Sequence, residues 1–270
     1  MTRSGSQRSS VRPLCNAERG NLDEGTKSMT SRGVRAHGDD SGQSLSDRAY
    51  EAIRDGILFH VFEPGAIITE GALGERYGIG KTPVREALVK LEQEHLVQSR
   101  PRKGYEVAPL TLARARDMFL VRRLLEPPAA RLAAANRVDA PELAAIERIA
   151  EEETRYRSAV DPADHDSVVA FVKANSAFHL RVAKASGSLM LERMLQEVIV
   201  KLDRYVYLAI AQSAGFSGYA TTHAQLIEAL RTPDPDEAAR IVQDQVDWAE
   251  RAVVDALLST PSIQNARLRA

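Results

Sequence analysis

Cysteine is nearly missing from this chain. Cys15 stands alone in 270 residues, so no disulfide can close within the chain and no thiol-rich metal site can be built. Also missing is any run near the ~20 apolar residues that a membrane-spanning helix needs, and the N-terminus has no apolar signal-peptide core. The expectation is a cytoplasmic protein. An excess of positive charge is lacking too: 36 Lys and Arg face 37 Asp and Glu, and residues 44–108 hold about as many acids as bases. Net charge therefore does not announce a nucleic-acid partner, and only the arrangement of charges could. With 44% hydrophobic and 27% charged residues, the composition is ordinary for a soluble protein long enough to hold two small cores.

Large apolar residues are scarce over residues 1–43, where Ser, Gly, Arg and Thr dominate. Such a segment cannot offset the entropy of ordering its backbone, so it reads as a disordered polar tail, with Met29 an alternative start of translation. A second loose tail is expected over 261–270. Strand-period alternation is almost absent between 111 and 259.

What is present is most specific at Tyr77-Gly-Ile-Gly-Lys-Thr-Pro-Val-Arg-Glu-Ala-Leu-Val-Lys-Leu91. This reads as a tight turn entering a helix, with Thr82 as its cap and Pro83 in the first turn, where a missing N–H costs nothing. Val84, Leu88 and Leu91 share one side, leaving Lys81, Thr82 and Arg85 exposed at the N-terminal end. Upstream, Tyr50, Ile53, Ile57 and Leu58 form an apolar helical face, followed by a turn at Glu63-Pro-Gly65 and a short helix from about 69 to 77. Downstream, Leu96-Val-Gln-Ser and Tyr105-Glu-Val-Ala are strand-like and joined by Arg100-Pro-Arg-Lys-Gly104. Three helices and a basic-tipped hairpin make a winged helix-turn-helix over 44–109. Lys81, Arg85 and Lys90, with Arg100, Arg102 and Lys103 of the hairpin, would gather positive charge where a duplex lies.

From 110 to 260 the pattern is an all-α helical bundle, with helices near 111–136, 141–158, 164–185, 188–213, 218–231 and 235–258. Polar residues interrupt its apolar stripes. Asn175 and His179 lie among Val168, Phe171, Val172, Phe178 and Val182. His223 heads the stripe of Leu226, Ile227 and Leu230, and Gln245 interrupts Ala238, Ile241, Val242, Ala249 and Ala252. A polar group buried without a partner costs a few kcal/mol, so four of them point to one shared cavity. Arg122, beside Met118, Phe119 and Leu125, has two readings: an intrahelical pair with Glu126, or a clamp for a carboxylate.

These residues carry a resemblance. Ile53 through Val107, with Glu63-Pro-Gly65, Thr82-Pro-Val-Arg-Glu-Ala-Leu88, Leu91-Glu92, Leu96-Val97 and Gly104, resembles the DNA-binding domain of GntR-family bacterial transcription regulators. Gly80-Lys81 stands where the family usually has Ser-Arg, Gly71 where it often has a polar residue, and His95 where it has Gly. Lys lacks the guanidinium fork that reads guanine, so operator preference is expected to differ. Val121-Arg-Arg-Leu-Leu-Glu126, Asn175-Ser-Ala-Phe-His179, His223 and the stretch from Ala238 to Gln245 resemble the FCD effector-binding domain of the FadR branch.

The resemblance implies a DNA-binding dimer on a near-palindromic operator, more often a repressor, that senses a small organic acid. Arg122, Asn175, His179, His223 and Gln245 are its effector residues, and Lys81, Thr82, Arg85, Arg102, Lys103 and Gly104 its DNA-binding residues. Many relatives hold a divalent metal such as Zn through an Asp or Asn and three His. Here Asn175, His179 and His223 remain, and Gln245 takes the third His position, where an amide oxygen is a poor zinc ligand. Three readings of the cavity stay open: weak Zn or Ni binding, direct metal-free ligand binding, and a satisfied hydrogen-bond network. A helical metal hydrolase using His179 and His223 is the rival from another class, but no His-Glu-x-x-His motif supports it and it leaves the winged part unexplained, so no catalytic residue is assigned. An architectural DNA-binding dimer without effector is the third.

Overall fold

The computed structural model describes residues 43–212 and 223–260. The tails expected over 1–43 and 261–270 lie, but for Gln43, outside the described residues, as do Cys15, Met29 and the start of the helix expected from 218.

Helix α1 (Leu45–Leu58) begins where the Ser44 hydroxyl accepts from the Asp47 amide at 3.1 Å. It buries Ala49, Ile53 and Ile57 against α3 (Lys81–Gln93), whose buried face is Val84, Ala87, Leu88 and Leu91. Between them lie β1 (Ile67–Ile68) and α2 (Glu70–Tyr77). Thr69 caps α2, and Gly78 ends it at φ 65, in the left-handed conformation that glycine adopts without strain. One expectation fails at α3. Its N-cap is Gly80, which has no side chain to accept a bond, and Thr82 lies inside the first turn. The chain enters at φ −63 and ψ 157, so the cap geometry is met two positions earlier than the sequence pattern suggests.

Strands β2 (Val97–Arg100) and β3 (Gly104–Val107) form the hairpin, and β1 adds to its other edge, giving the order β1-β3-β2. The pairs Ile67 with Glu106 and Ile68 with Tyr105 were not foreseen, because two residues are too few to show a period. Gly104 sits at φ +111, and a Cβ there would lie 2.5 Å from the Ile68 carbonyl oxygen. No other residue fits this crossing of wing and β1.

The helical part comprises α4 (Leu112–Ala135), α5 (Ala140–Ala159), α6 (His165–Ala185), α7 (Leu189–Ala211), α8 (His223–Arg231) and α9 (Pro235–Ser259). Thr111, Asp139, Asp164, Ser188 and Asp234 each accept from a first-turn amide, which explains why the helices begin where they do. Helix α4 runs on through Pro127 and Pro128. Two prolines forfeit two ladder hydrogen bonds, yet the small residues that follow (Ala129, Ala130, Ala133 and Ala134) are fully buried, with α9 as the principal neighbour of α4. Tertiary packing thus overrides propensity. No described helix is long and apolar enough to cross a membrane.

Candidate functional site

The winged part presents Lys81, Thr82 and Arg85 as exposed residues at the start of α3, with Arg102 and Lys103 exposed at the turn between β2 and β3. Arg102 has φ 65. Three of the six cations of this face are already occupied. Arg85 donates from Nε and Nη2 to the two carboxylate oxygens of Glu70, each at 2.8 Å. Lys90 pairs with Asp47 at 2.9 Å and Arg100 with Glu106 at 2.5 Å. Lys81, Arg102 and Lys103 have no ion pair among the described residues. Glu70 holds Arg85 in an extended, forked presentation at the exposed end of the helix; because the pair is solvent-exposed, exchanging Glu70 for another acceptor costs little.

In the helical part the five expected effector residues are all buried: Arg122, Asn175, Gln245 at 4%, His179 at 5% and His223 at 3% exposure. They come from α4, α6, α8 and α9. The rings of His179 and His223 meet edge to face with centroids 5.4 Å apart, and Phe178 stacks on His223 at 3.6 Å. Asn175 Oδ1, His223 Nδ1 and both amide atoms of Gln245 are buried with no hydrogen-bond partner among the described residues.

Three buried acids that sequence reasoning did not assign to this site accompany it. Glu126, read there only as a partner for Arg122, accepts from the Arg122 guanidinium and lies 3.2 Å from His179 Nδ1. Burial pushes its carboxyl up, but Arg122 and then His179 outweigh that and hold it at about 2, so it is ionised. The intrahelical reading of Arg122 is therefore what the structure contains, in a buried setting where the pair matters more than on a surface. Glu153 of α5, fully buried, pairs with Arg157 at 2.7 Å and lies 3.6 Å from His223 Nδ1; burial raises its pKa against the pull of Arg157. Burial, with the charges of His179 and Arg157, drives His223 well below the usual imidazole range, so it is neutral. Asp203 of α7 accepts from the Ser176 hydroxyl at 2.5 Å, and burial lifts it to about 7. Each acid falls on its own helix's apolar stripe, as Glu153 does after Ile146 and Ala150, and that is the signal that could have found them.

The donor set bears on metal. Each imidazole turns Nδ1 toward a carboxylate, the arrangement by which an acid behind the ring leaves Nε2 basic. The other donors are neutral amides, and no group of three His, Cys, Asp or Glu that could hold an ion occurs among the described residues. Two imidazoles and two amide oxygens suit a loosely held divalent ion, not a tight structural zinc.

Residues 45–107 match the family model of bacterial regulatory proteins, gntR family, and residues 117–247 match the FCD domain. An HTH-type regulator from the ttuE-ttuC' intergenic region of Agrobacterium vitis is 32% identical over 132 residues, covering 48% of this chain and 74% of that protein. The chain belongs to the GntR family. This GntR protein is also similar to the HTH-type transcriptional repressor RspR of Escherichia coli, 22% identical over 211 residues, 78% of this chain and 90% of the relative. Among solved structures, E. coli McbR/YncC shares the fold with a TM-score of 0.68 at 18% identity, covering 79% of this chain and 98% of that one. A GntR regulator from Rhodococcus sp. RHA1 gives 0.61 at 20%, covering 79% and 99%. The protein is a DNA-binding transcription regulator with an FCD domain, not an enzyme.

Proposed function

We propose that this regulator is a homodimeric repressor that binds a near-palindromic operator and responds to a small organic acid held in the helical cavity. The observation that carries the effector reading is that buried polar atoms of Asn175, His223 and Gln245 have no hydrogen-bond partner among the described residues, since an orphaned polar group costs about 1–3 kcal/mol and a ligand removes that cost. Arg122 is the anchor for a carboxylate, and Glu126 is the protein's own stand-in for it. A ligand carboxylate exchanges with Glu126 as the partner of the Arg122 guanidinium, and Glu126 keeps His179 Nδ1 as its neighbour. Lys81, Thr82 and Arg85 read base edges, and Arg102, Lys103 and the Gly104 backbone follow the phosphates.

Dimerisation is supported by Leu120, Leu124 and Leu132, 40–61% exposed along one side of α4, and by Met190 and Met194 on the neighbouring α7. A self-complementary contact there would bring two winged parts onto one duplex. The repressor role rests on the similarity to RspR. A second reading, weak Zn or Ni binding through Asn175, His179 and His223, is favoured by the carboxylates beside both imidazoles.

The test is calorimetric titration of mono- and dicarboxylic acids, zinc and nickel into the full chain, with gel shifts on an operator selected from random DNA. One of these should bind wild type and weaken operator binding. His179→Ala should lose that response and keep effector-free DNA binding. If none of them changes operator affinity and His179→Ala only lowers stability, the cavity is a packing network. Light scattering should show a dimer that Leu124→Glu dissociates.

A further inference from the structure

A second cleft, of about 220 Å³, lies where the winged part meets the bundle. The end of α3 gives it Glu94, His95 and Leu96, α4 gives Arg114, Asp117 and Met118, and α7 gives Lys201, Arg204 and Tyr205. Arg204 is 3% exposed, donates from Nη2 to the Ala108 carbonyl at 2.6 Å, and leaves Nε without an acceptor. No carboxylate pairs with it among the described residues, an expensive condition for a buried guanidinium. Arg114, exposed in the same wall, has no ion pair among the described residues. Of the two acids in the wall, Glu94 is taken by the Tyr50 hydroxyl at 2.5 Å and by Arg54 at 3.8 Å, and Asp117 is exposed. Lys201 is paired with Glu197 at 2.8 Å. Beside His95, the remaining wall is formed by Leu96, Met118 and Tyr205.

We propose that this cleft is a second ligand site, distinct from the helical cavity, that takes a small organic monoanion: a carboxylate on an apolar body, bound by Arg114 and Arg204. The apolar body packs on Leu96, Met118 and Tyr205, and the carboxylate supplies the counter-ion that Arg204 lacks. Because the wall is drawn from the end of the recognition helix, the first helix of the bundle and α7, an occupant binds only while these three are held together. It therefore favours one placement of the winged part over others.

Calorimetric titration of the full chain with benzoate tests this, with benzamide as the uncharged isostere. Benzoate should bind saturably and at least tenfold more tightly than benzamide. Arg114→Glu, a change at an exposed and unpaired residue that leaves the circular dichroism unchanged, should weaken benzoate at least tenfold, and Arg114→Lys should recover part of the loss. His179→Ala, in the other cavity, should leave benzoate affinity within twofold. No saturation by about 10 mM, equal binding of benzamide, indifference to Arg114→Glu, or loss of binding in His179→Ala would each overturn the assignment.

Discussion

Replacing Asp203 by Asn isolates the energetic cost of a buried acid on α7. The carboxyl is buried, accepts from the Ser176 hydroxyl, and is lifted by burial to about 7 from the ordinary Asp value of 3.8. Between those values the folded chain keeps a proton that the unfolded chain has released, so stability falls as pH rises through this window. Above pH 7 the penalty is complete. At about 1.4 kcal/mol per unit, a shift of about three units is worth about 4 kcal/mol. Asn keeps the shape of the protonated acid and cannot ionise. Asp203→Asn should therefore gain about 2–4 kcal/mol at pH 8 and about nothing near pH 4. Urea unfolding of wild type and variant at several pH values, followed by circular dichroism, reads the difference directly. Other titrating groups are common to both chains and cancel. Stability curves that run parallel in the two proteins would refute the argument, since they would mean that Asp203 has the same protonation in folded and unfolded states.

Four further outcomes are expected. Arg85→Ala should weaken operator binding by ~1–3 kcal/mol and relax base preference, whereas Lys103→Ala should weaken binding evenly across sequences; gel shifts against selected and scrambled operators separate them, and unchanged affinity in Arg85→Ala would sink the docking of α3. His95 has φ 61, so His95→Gly should raise stability by about 1 kcal/mol, read as a higher melting temperature. Gln245→His should raise divalent-metal affinity at least tenfold in zinc or nickel titrations; no gain would mean that the four residues do not converge on one point. Burial, helped by the charge of Arg204, lowers His60 to about 4. Its contribution to docking the winged part is thus present above pH 6.5 and lost as pH falls from there toward 4; X-ray scattering should show wild type loosening over that window and His60→Gln not.

The fold was legible wherever a period could be counted. Apolar residues three and four apart set α1, α3 and the six helices of the bundle, and Asp, Ser and Thr caps bounded most of them. Thr82 misled because a Thr before a Pro is a strong cap signal, and only backbone geometry shows that Gly80 already occupies that role. Strand β1 was invisible at two residues. In the cavity, His and amide residues stood out on apolar stripes because they are rarely buried without purpose. Glu126, Glu153 and Asp203 obey the same rule, but an acid in a helix reads first as a solvated residue, and two of their partners, His179 and Ser176, come from another helix. Contacts between helices have no spacing in the sequence.

The two halves of the molecule are joined by residues adjacent to the cavity. On α7, Asp203 faces Ser176 while its neighbour Arg204 donates to the Ala108 carbonyl, and the Arg204 carbonyl meets His60 Nε2 at 2.9 Å. On α6, Lys173 pairs with Asp55 of α1 at 2.6 Å, two residues before Asn175. A helix is stiff over one or two residues, where the rise is about 1.5 Å each. A ligand that displaced Asn175 or Asp203 would thus act on Asp55, Ala108 and His60 through one or two residues of helix, without any extended relay of side chains. The size of the response then depends only on how differently the ligand binds the two placements of the winged part, because equal binding to both moves neither. Lys173–Asp55 is exposed and cheap to break, whereas the Arg204 bond to Ala108 is buried. On that difference the contact of α6 with α1 costs less to break than the contact of α7 with Ala108.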